Sequence, residues 1–216
     1  MNKPLKIDFV SDVACPWCAV GLASLERAVE RIGADLPAPE MHFQPFELNP
    51  QMGPEGADPT EYMQKKYGAS PEQQAVNRDA IRERGAAVGF EFRREGRVRI
   101  HNTFDAHRLL HWAGLDGRQQ ELKKALLKAY FTDGENIASA DVLARIADEV
   151  GLDPVRARKI LSSDEYAADV RERERFYTDQ GITSVPSIIV NDRHLISGGQ
   201  PPEVFEQALR QIAAMD

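Results

Sequence analysis

Cysteine is scarce in this chain: 216 residues contain two, Cys15 and Cys18, three positions apart. Two thiols cannot make a disulfide framework, so whatever the pair does is local chemistry. Positive charge is also in short supply. With 27 Lys and Arg against 34 Asp and Glu the net charge is -7, which excludes the concentrated cationic field that phosphate backbones need, and with it nucleic acid as a partner. No apolar run approaches the ~18 residues of a membrane span, so no membrane partner is expected. The opening Met1-Asn2-Lys3-Pro4 leads directly into an alternation at Leu5, Ile7 and Phe9 without an apolar export segment, and a cytoplasmic location is expected. What remains is an ordinary globular composition, 42% hydrophobic and 28% charged, long enough for one large domain or a domain with a sizeable insertion.

The chain first reads as strand, turn and helix. Residues 5–10 suit a strand buried on both faces, and Val20, Leu22, Leu25, Val29 and Ile32 then follow a helical stripe that Gly33 ends. A second strand at Met41–Phe46 completes a β-α-β unit whose strands should be parallel. From Asn49 onward helical signals take over. Asp58-Pro59 and Ser70-Pro71 both read as helix starts, and apolar stripes follow at Leu122–Tyr130 and Val142–Val150. Asp153-Pro154 opens a short helix, and Ser163 or Asp164 opens the last one of this block. The strand pattern returns at Ser187–Val190 and His194–Ser197, with Asn191-Asp192 as the turn, before a closing amphipathic helix. A β-α-β start and a β-β-α end, each lacking a partner, most simply complete one sheet. The fold class is therefore α/β, with residues 1–48 and 164–216 forming the sheet domain and 49–163 an all-helical insertion.

Between the first strand and its helix stands Cys15-Pro16-Trp17-Cys18. Three readings compete: a redox pair, half of a metal site, and two buried apolar residues. A thiol at the first helical turn meets unpaired N–H groups and the helix dipole, which favour the thiolate. A second thiol one turn later can attack a mixed disulfide formed at the first. Pro16 suits the first helical position, and Trp17 supplies an apolar surface for a substrate. A zinc site would need four ligands, and no second pair of cysteines exists. His107 and His111 lie four apart but lack the intervening Glu of a metal helix, so no metal is expected. Val185-Pro186, immediately before a strand, is a place where a cis proline is affordable.

Together, "DVACPWC", "FQPFELNP", "HNTFDAHRL" and "GITSVPSIIVNDRHLISGGQPPEVFEQAL" resemble the thioredoxin-fold oxidoreductases of the DsbA family, and within it the FrnE-like branch. The resemblance spans nearly the whole chain. It implies a thioredoxin-like domain interrupted by a helical domain overhanging the redox site, with Cys15 as nucleophile, Cys18 as resolving thiol and Pro186 as a cis proline. It also implies that the Val185 backbone pairs with a bound peptide. Disulfide-containing proteins or small thiols would be the partners of a monomer or homodimer, with no bound cofactor. One position departs from the pattern: Phe9 stands six before Cys15, where relatives often carry an acid, leaving Asp8 and Asp12 as candidates for that role. Asp8 would need a bulged strand to reach it. The same branch resembles kappa-class glutathione transferases and 2-hydroxychromene-2-carboxylate isomerases, which usually carry Ser in place of Cys15. That relationship supplies the alternative reading, a glutathione-dependent isomerase or transferase with glutathione as co-substrate, in which Asn102-Thr103 reads as an N-cap rather than a ligand site. A third reading, a stress-related holdase, rests on apolar exposure at Trp17, Phe46, Met52 and Tyr62.

Overall fold

The structure, a computed structural model, describes residues 3–94 and 99–215. Strand β1 (Lys6–Ser11) lies at the centre of a four-stranded sheet, and five of its six residues are buried. Its near-continuous apolar run reflects cover on both faces, which an edge strand would not need. On one side it pairs in parallel with β2 (Glu40–Pro45), and on the other antiparallel with β3 (Ser187–Val190). Strand β4 (His194–Ser197) completes the order β2-β1-β3-β4. Thus the first and last stretches of the chain share one sheet, as their unpaired patterns required. Asn191 and Asp192 both take positive φ, at 52° and 57°, a backbone region that short Asx side chains tolerate and that matches hairpin twist.

Helix α1 (Pro16–Ile32) packs along the closing helix, Pro202–Met215, and both cover the sheet. Phe9, Leu22, Leu25, Ile188, Phe205 and Leu209 make the core between them. Seven α-helices separate β2 from β3 among the described residues: α2 (Pro59–Tyr67), α3 (Pro71–Val88), α4 (Phe104–Leu115), α5 (Gln119–Lys128), α6 (Ala140–Glu149), α7 (Pro154–Leu161) and α8 (Ala167–Asp179). The closing helix is α9. The capping residues act as read. Asp58 accepts from Thr60 and Glu61 N–H, Asp153 accepts from Val155 N–H, and Ser70 with Gln73 forms a reciprocal capping box. A second core gathers Leu109, Leu122, Leu126, Leu143, Ile146 and Ile160, and takes Val13 from the loop after β1.

Helix α8 starts later than Ser163 or Asp164. The buried Arg108 guanidinium donates to the carbonyls of Ile160, Ser163 and Glu165, so those groups turn towards α4 instead of opening a helix. Tyr166 then sits at φ 63° before Ala167 begins the helix. Helices α2 to α7 fall within 49–163, whereas α8, beyond that boundary, packs against both α4 and β2. No helix among the described residues is long and apolar enough to cross a membrane.

Candidate active site

Strand β1 ends at Ser11, and the following turn delivers Cys15 to the N-cap of α1 with extended backbone, φ -94° and ψ 114°. Its carbonyl accepts from Cys18 and Ala19 N–H at 3.0 and 3.4 Å, so the helix begins at Pro16, whose missing N–H costs nothing there. No side chain caps this helix end, which leaves its dipole directed at the cap residue. Both cysteines are free thiols. They differ in access: Cys15 keeps 4% of its surface and Cys18 none. Of the two thiols only Cys15 retains any exposed surface. Burial, followed by the hydrogen bond and charge of Cys15, pushes the Cys18 thiol well above its ordinary 9.0, as expected of an anion-forming group without solvent.

The wall beside the cysteines comes from the loop before β3. The Val185–Pro186 peptide is cis, and the Val185 carbonyl accepts from the Cys15 thiol at 3.7 Å. Val185 is half-buried, while the Trp17 ring is 37% exposed at the same helix end. Two glycines let this wall close, and neither was singled out by sequence reasoning. A Cβ on Gly21 would stand 3.0 Å from the Pro186 ring and 3.2 Å from Gly199 Cα, and one on Gly199 would stand 2.9 Å from the Trp17 carbonyl. A glycine inside a helix followed by a late Gly-Gly pair was the available signal.

The two candidate acids part ways. Strand β1 keeps unbroken register from Lys6 to Ser11 with β2 and from Ile7 to Val10 with β3, so no bulge redirects Asp8. Its carboxylate accepts from Gln44 at 2.5 Å, pairs with Lys6 at 3.1 Å and lies beside the Tyr177 hydroxyl. Phe9 is fully buried and packs on Phe43 in the core below α1. Asp12 instead sits in the turn leading to Cys15. Oδ1 accepts from Ala14 N–H at 3.2 Å, Oδ2 from Leu48 N–H at 2.7 Å, and His107 Nε2 stands 3.6 Å away. Burial pushes this carboxyl up, but His107 and the two amides outweigh it and hold Asp12 below its ordinary range. His107 thus serves Asp12, and no group of three or more potential metal ligands gathers among the described residues. Asn102 Oδ1 accepts from Phe104 N–H at 2.9 Å just ahead of α4, whose N-cap is Thr103 without a side-chain cap bond.

A further charged group was not anticipated. Lys123 of α5 is fully buried, its Nζ has no hydrogen-bond partner among the described residues, and its electrostatic neighbours are Cys18, Asp12 and Cys15. Gln119, one turn earlier, clamps the Phe43 backbone on β2, accepting from N–H at 2.9 Å and donating to C=O at 3.0 Å. Leu127, one turn later, joins the core of the sheet. The spacing 119, 123, 127 is one face of α5 laid on the sheet.

This sheet order, with a dithiol at the N-terminus of the first helix and a cis proline facing it, is the architecture of a thioredoxin-like protein carrying a helical insertion. Residues 6–210 match the model of the DSBA-like thioredoxin domain, and the chain belongs to that family. A curated relative, the uncharacterized protein YwbO of Bacillus subtilis (strain 168), is 30% identical over 205 residues, covering 94% of each chain. Among solved structures, the probable DsbA oxidoreductase SCO1869 from Streptomyces coelicolor superimposes with a TM-score of 0.90 at 34% identity, over 98% of this chain and 91% of that one. A 2-hydroxychromene-2-carboxylate isomerase shares the fold at TM-score 0.69 and 14% identity, covering 98% and 99%. So does the cytosolic disulfide reductase DsbM from Pseudomonas aeruginosa with GSH, at 0.63 and 18%, covering 95% and 98%.

Proposed function

We propose that the protein is a cytoplasmic dithiol-disulfide oxidoreductase of the FrnE-like branch, exchanging disulfides with protein or small-thiol substrates through Cys15-Pro16-Trp17-Cys18. The observation that carries this reading is the unequal access of two adjacent thiols at one helix N-terminus. In the reducing direction the Cys15 thiolate attacks one sulfur of a substrate disulfide, and the other sulfur leaves as a thiolate. Cys18 then attacks Cys15 Sγ and expels the second substrate thiolate. Two electrons pass to the substrate, and the protein is left with a Cys15–Cys18 disulfide that a thiol reductant such as glutathione must reduce. Trp17 and the Val185 carbonyl are the surfaces that would hold the substrate chain.

Turnover of a disulfide-bonded protein by wild type, Cys15→Ser and Cys18→Ser tests the reading. Wild type should be active, Cys15→Ser inactive, and Cys18→Ser should accumulate a mixed disulfide at Cys15. A wild type no faster than the two variants would sink it. The fold shared with the isomerase supports a second reading, a glutathione-dependent isomerase or transferase. A glutathione-dependent rate on a small molecule that survives loss of Cys18 would favour it.

A further inference from the structure

Strand β2 lies at one edge of the sheet, so half of its backbone N–H and C=O groups face away from β1. Glu40 turns inwards, its N–H donating to the Leu5 carbonyl at 2.8 Å. By the two-residue alternation of a strand, Met41 and Phe43 therefore present both backbone groups outwards. At Phe43 one side-chain amide takes the pair: Gln119 Oε1 accepts from the N–H and Nε2 donates to the C=O. Met41 offers the same two groups two residues earlier, and no side chain bonds them among the described residues. Both residues line a cavity of about 520 Å³ enclosed by β2, α4, the start of α5 and Arg173 of α8, a volume ordinary for a small-molecule site. Most polar side chains on its wall are committed: Gln44 to Asp8 at 2.5 Å, Gln120 to Glu26 at 2.9 Å and Glu121 to Arg118 at 3.4 Å. Arg173 is not. It is exposed, is the one Lys or Arg among the lining residues, and makes no hydrogen bond or ion pair among the described residues. One turn face away on α8, Arg171 is by contrast occupied by Glu47 and Glu174.

We propose that this cavity is a second binding site, apart from the cysteines, for a small molecule that carries both an amide and a carboxylate, such as an N-acylated amino acid. The ligand amide pairs with Met41 as the Gln119 amide pairs with Phe43, and the carboxylate meets the Arg173 guanidinium, whose planar fork matches it. The ligand is small because Gln119 holds the next position along the edge, so an extended chain cannot continue as a fifth strand. Neither cysteine, nor Trp17 or Val185, lines the cavity. The site therefore goes beyond the oxidoreductase reading and does not depend on it.

Titration of the full chain with N-acetylglycine, followed through backbone amide NMR signals, tests the assignment. Saturable shifts are expected at Met41, His111 and Arg173 and not at Cys15, Trp17 or Cys18, and Cys15→Ser should leave them unchanged. N-acetylglycinamide, which lacks the carboxylate, should bind about tenfold more weakly. Arg173→Met should remove that difference while melting as wild type does, because the side chain is exposed. Acetoxyacetate keeps the carboxylate but replaces the amide by an ester, which has no N–H for the Met41 carbonyl, and should also lose affinity. Absence of saturable binding, shifts centred on the cysteines, or equal affinity for the three probes would overturn the proposal. So would an Arg173→Met variant that still preferred the acid to its amide.

Discussion

Asp12 holds two loops with one carboxylate, accepting the amide of its own turn at Ala14 and that of Leu48 after β2. Asn in its place keeps one oxygen but turns an NH2 group towards one of the two amides, leaving a buried donor unpaired. Asp12→Asn should therefore lower stability by about 2 kcal/mol at neutral pH. The sign with pH follows from the depressed folded value. An acid held below its ordinary 3.8 stabilises the folded state above that pH, and the contribution is lost as pH falls through the lower folded value. Urea unfolding from pH 7 to pH 3 should show the gap between wild type and variant narrowing only at the acid end; a gap that widened there would contradict the assignment. At this scale the sequence was informative where spacing carries chemistry: Cys15, Trp17 and Cys18 share one helix start, while the place of Val185-Pro186 beside Cys15 came from the family resemblance and not from spacing. It could not choose between Asp8 and Asp12, because that choice depends on whether β1 bulges. Lys123 stayed hidden because a lysine in a helix reads by default as a solvated side chain.

Helix α1 presents Gly21 one turn beyond the second cysteine, where Pro186 and Gly199 press against it. Glycine inside a helix is about 1 kcal/mol worse than alanine by propensity alone, so an exposed site would gain from the change. Here the added methyl meets a proline ring and a backbone carbon. Gly21→Ala should instead cost about 1 to 3 kcal/mol through overpacking, lowering the melting temperature by several degrees. A rise in melting temperature would mean that the wall yields easily. The elements themselves were largely legible. Paired caps at Asp58, Ser70 and Asp153 are local devices that tertiary packing does not override, and the Asn-Asp turn needs residues that accept positive φ. The start of α8 was not legible, since the carbonyls that would open it are bound by Arg108, 52 to 57 residues away. Likewise α5 was assigned one apolar stripe although it buries two faces, Leu122 and Leu126 towards the helices and Gln119, Lys123 and Leu127 towards the sheet.

For the molecule as a whole, the helical block is joined to the sheet by polar contacts as well as by packing. Gln119 clamps β2, and Glu47, in the loop after β2, pairs with Arg171 of α8, whose guanidinium also stacks 3.8 Å from the centre of the Phe104 ring at the start of α4. The Glu47 carboxylate is almost fully buried, and burial raises it above its ordinary 4.5 even though Arg171 draws it down. Arg171→Met removes that opposing charge and the ring contact together, so Glu47 should rise further. A carboxyl raised in the folded state costs stability once pH exceeds its ordinary value, because the unfolded chain ionises first, and the cost levels off only above the folded value. Breaking a buried pair costs ~3–5 kcal/mol, and the partial solvent exposure of Arg171 reduces this to about 2 kcal/mol. The variant should thus be weakest near neutral pH and approach wild type below pH 4.5. Thermal melts across that range decide the matter: a deficit that stayed constant from pH 7 to pH 4 would show that Arg171 acts by packing on Phe104 and not through Glu47.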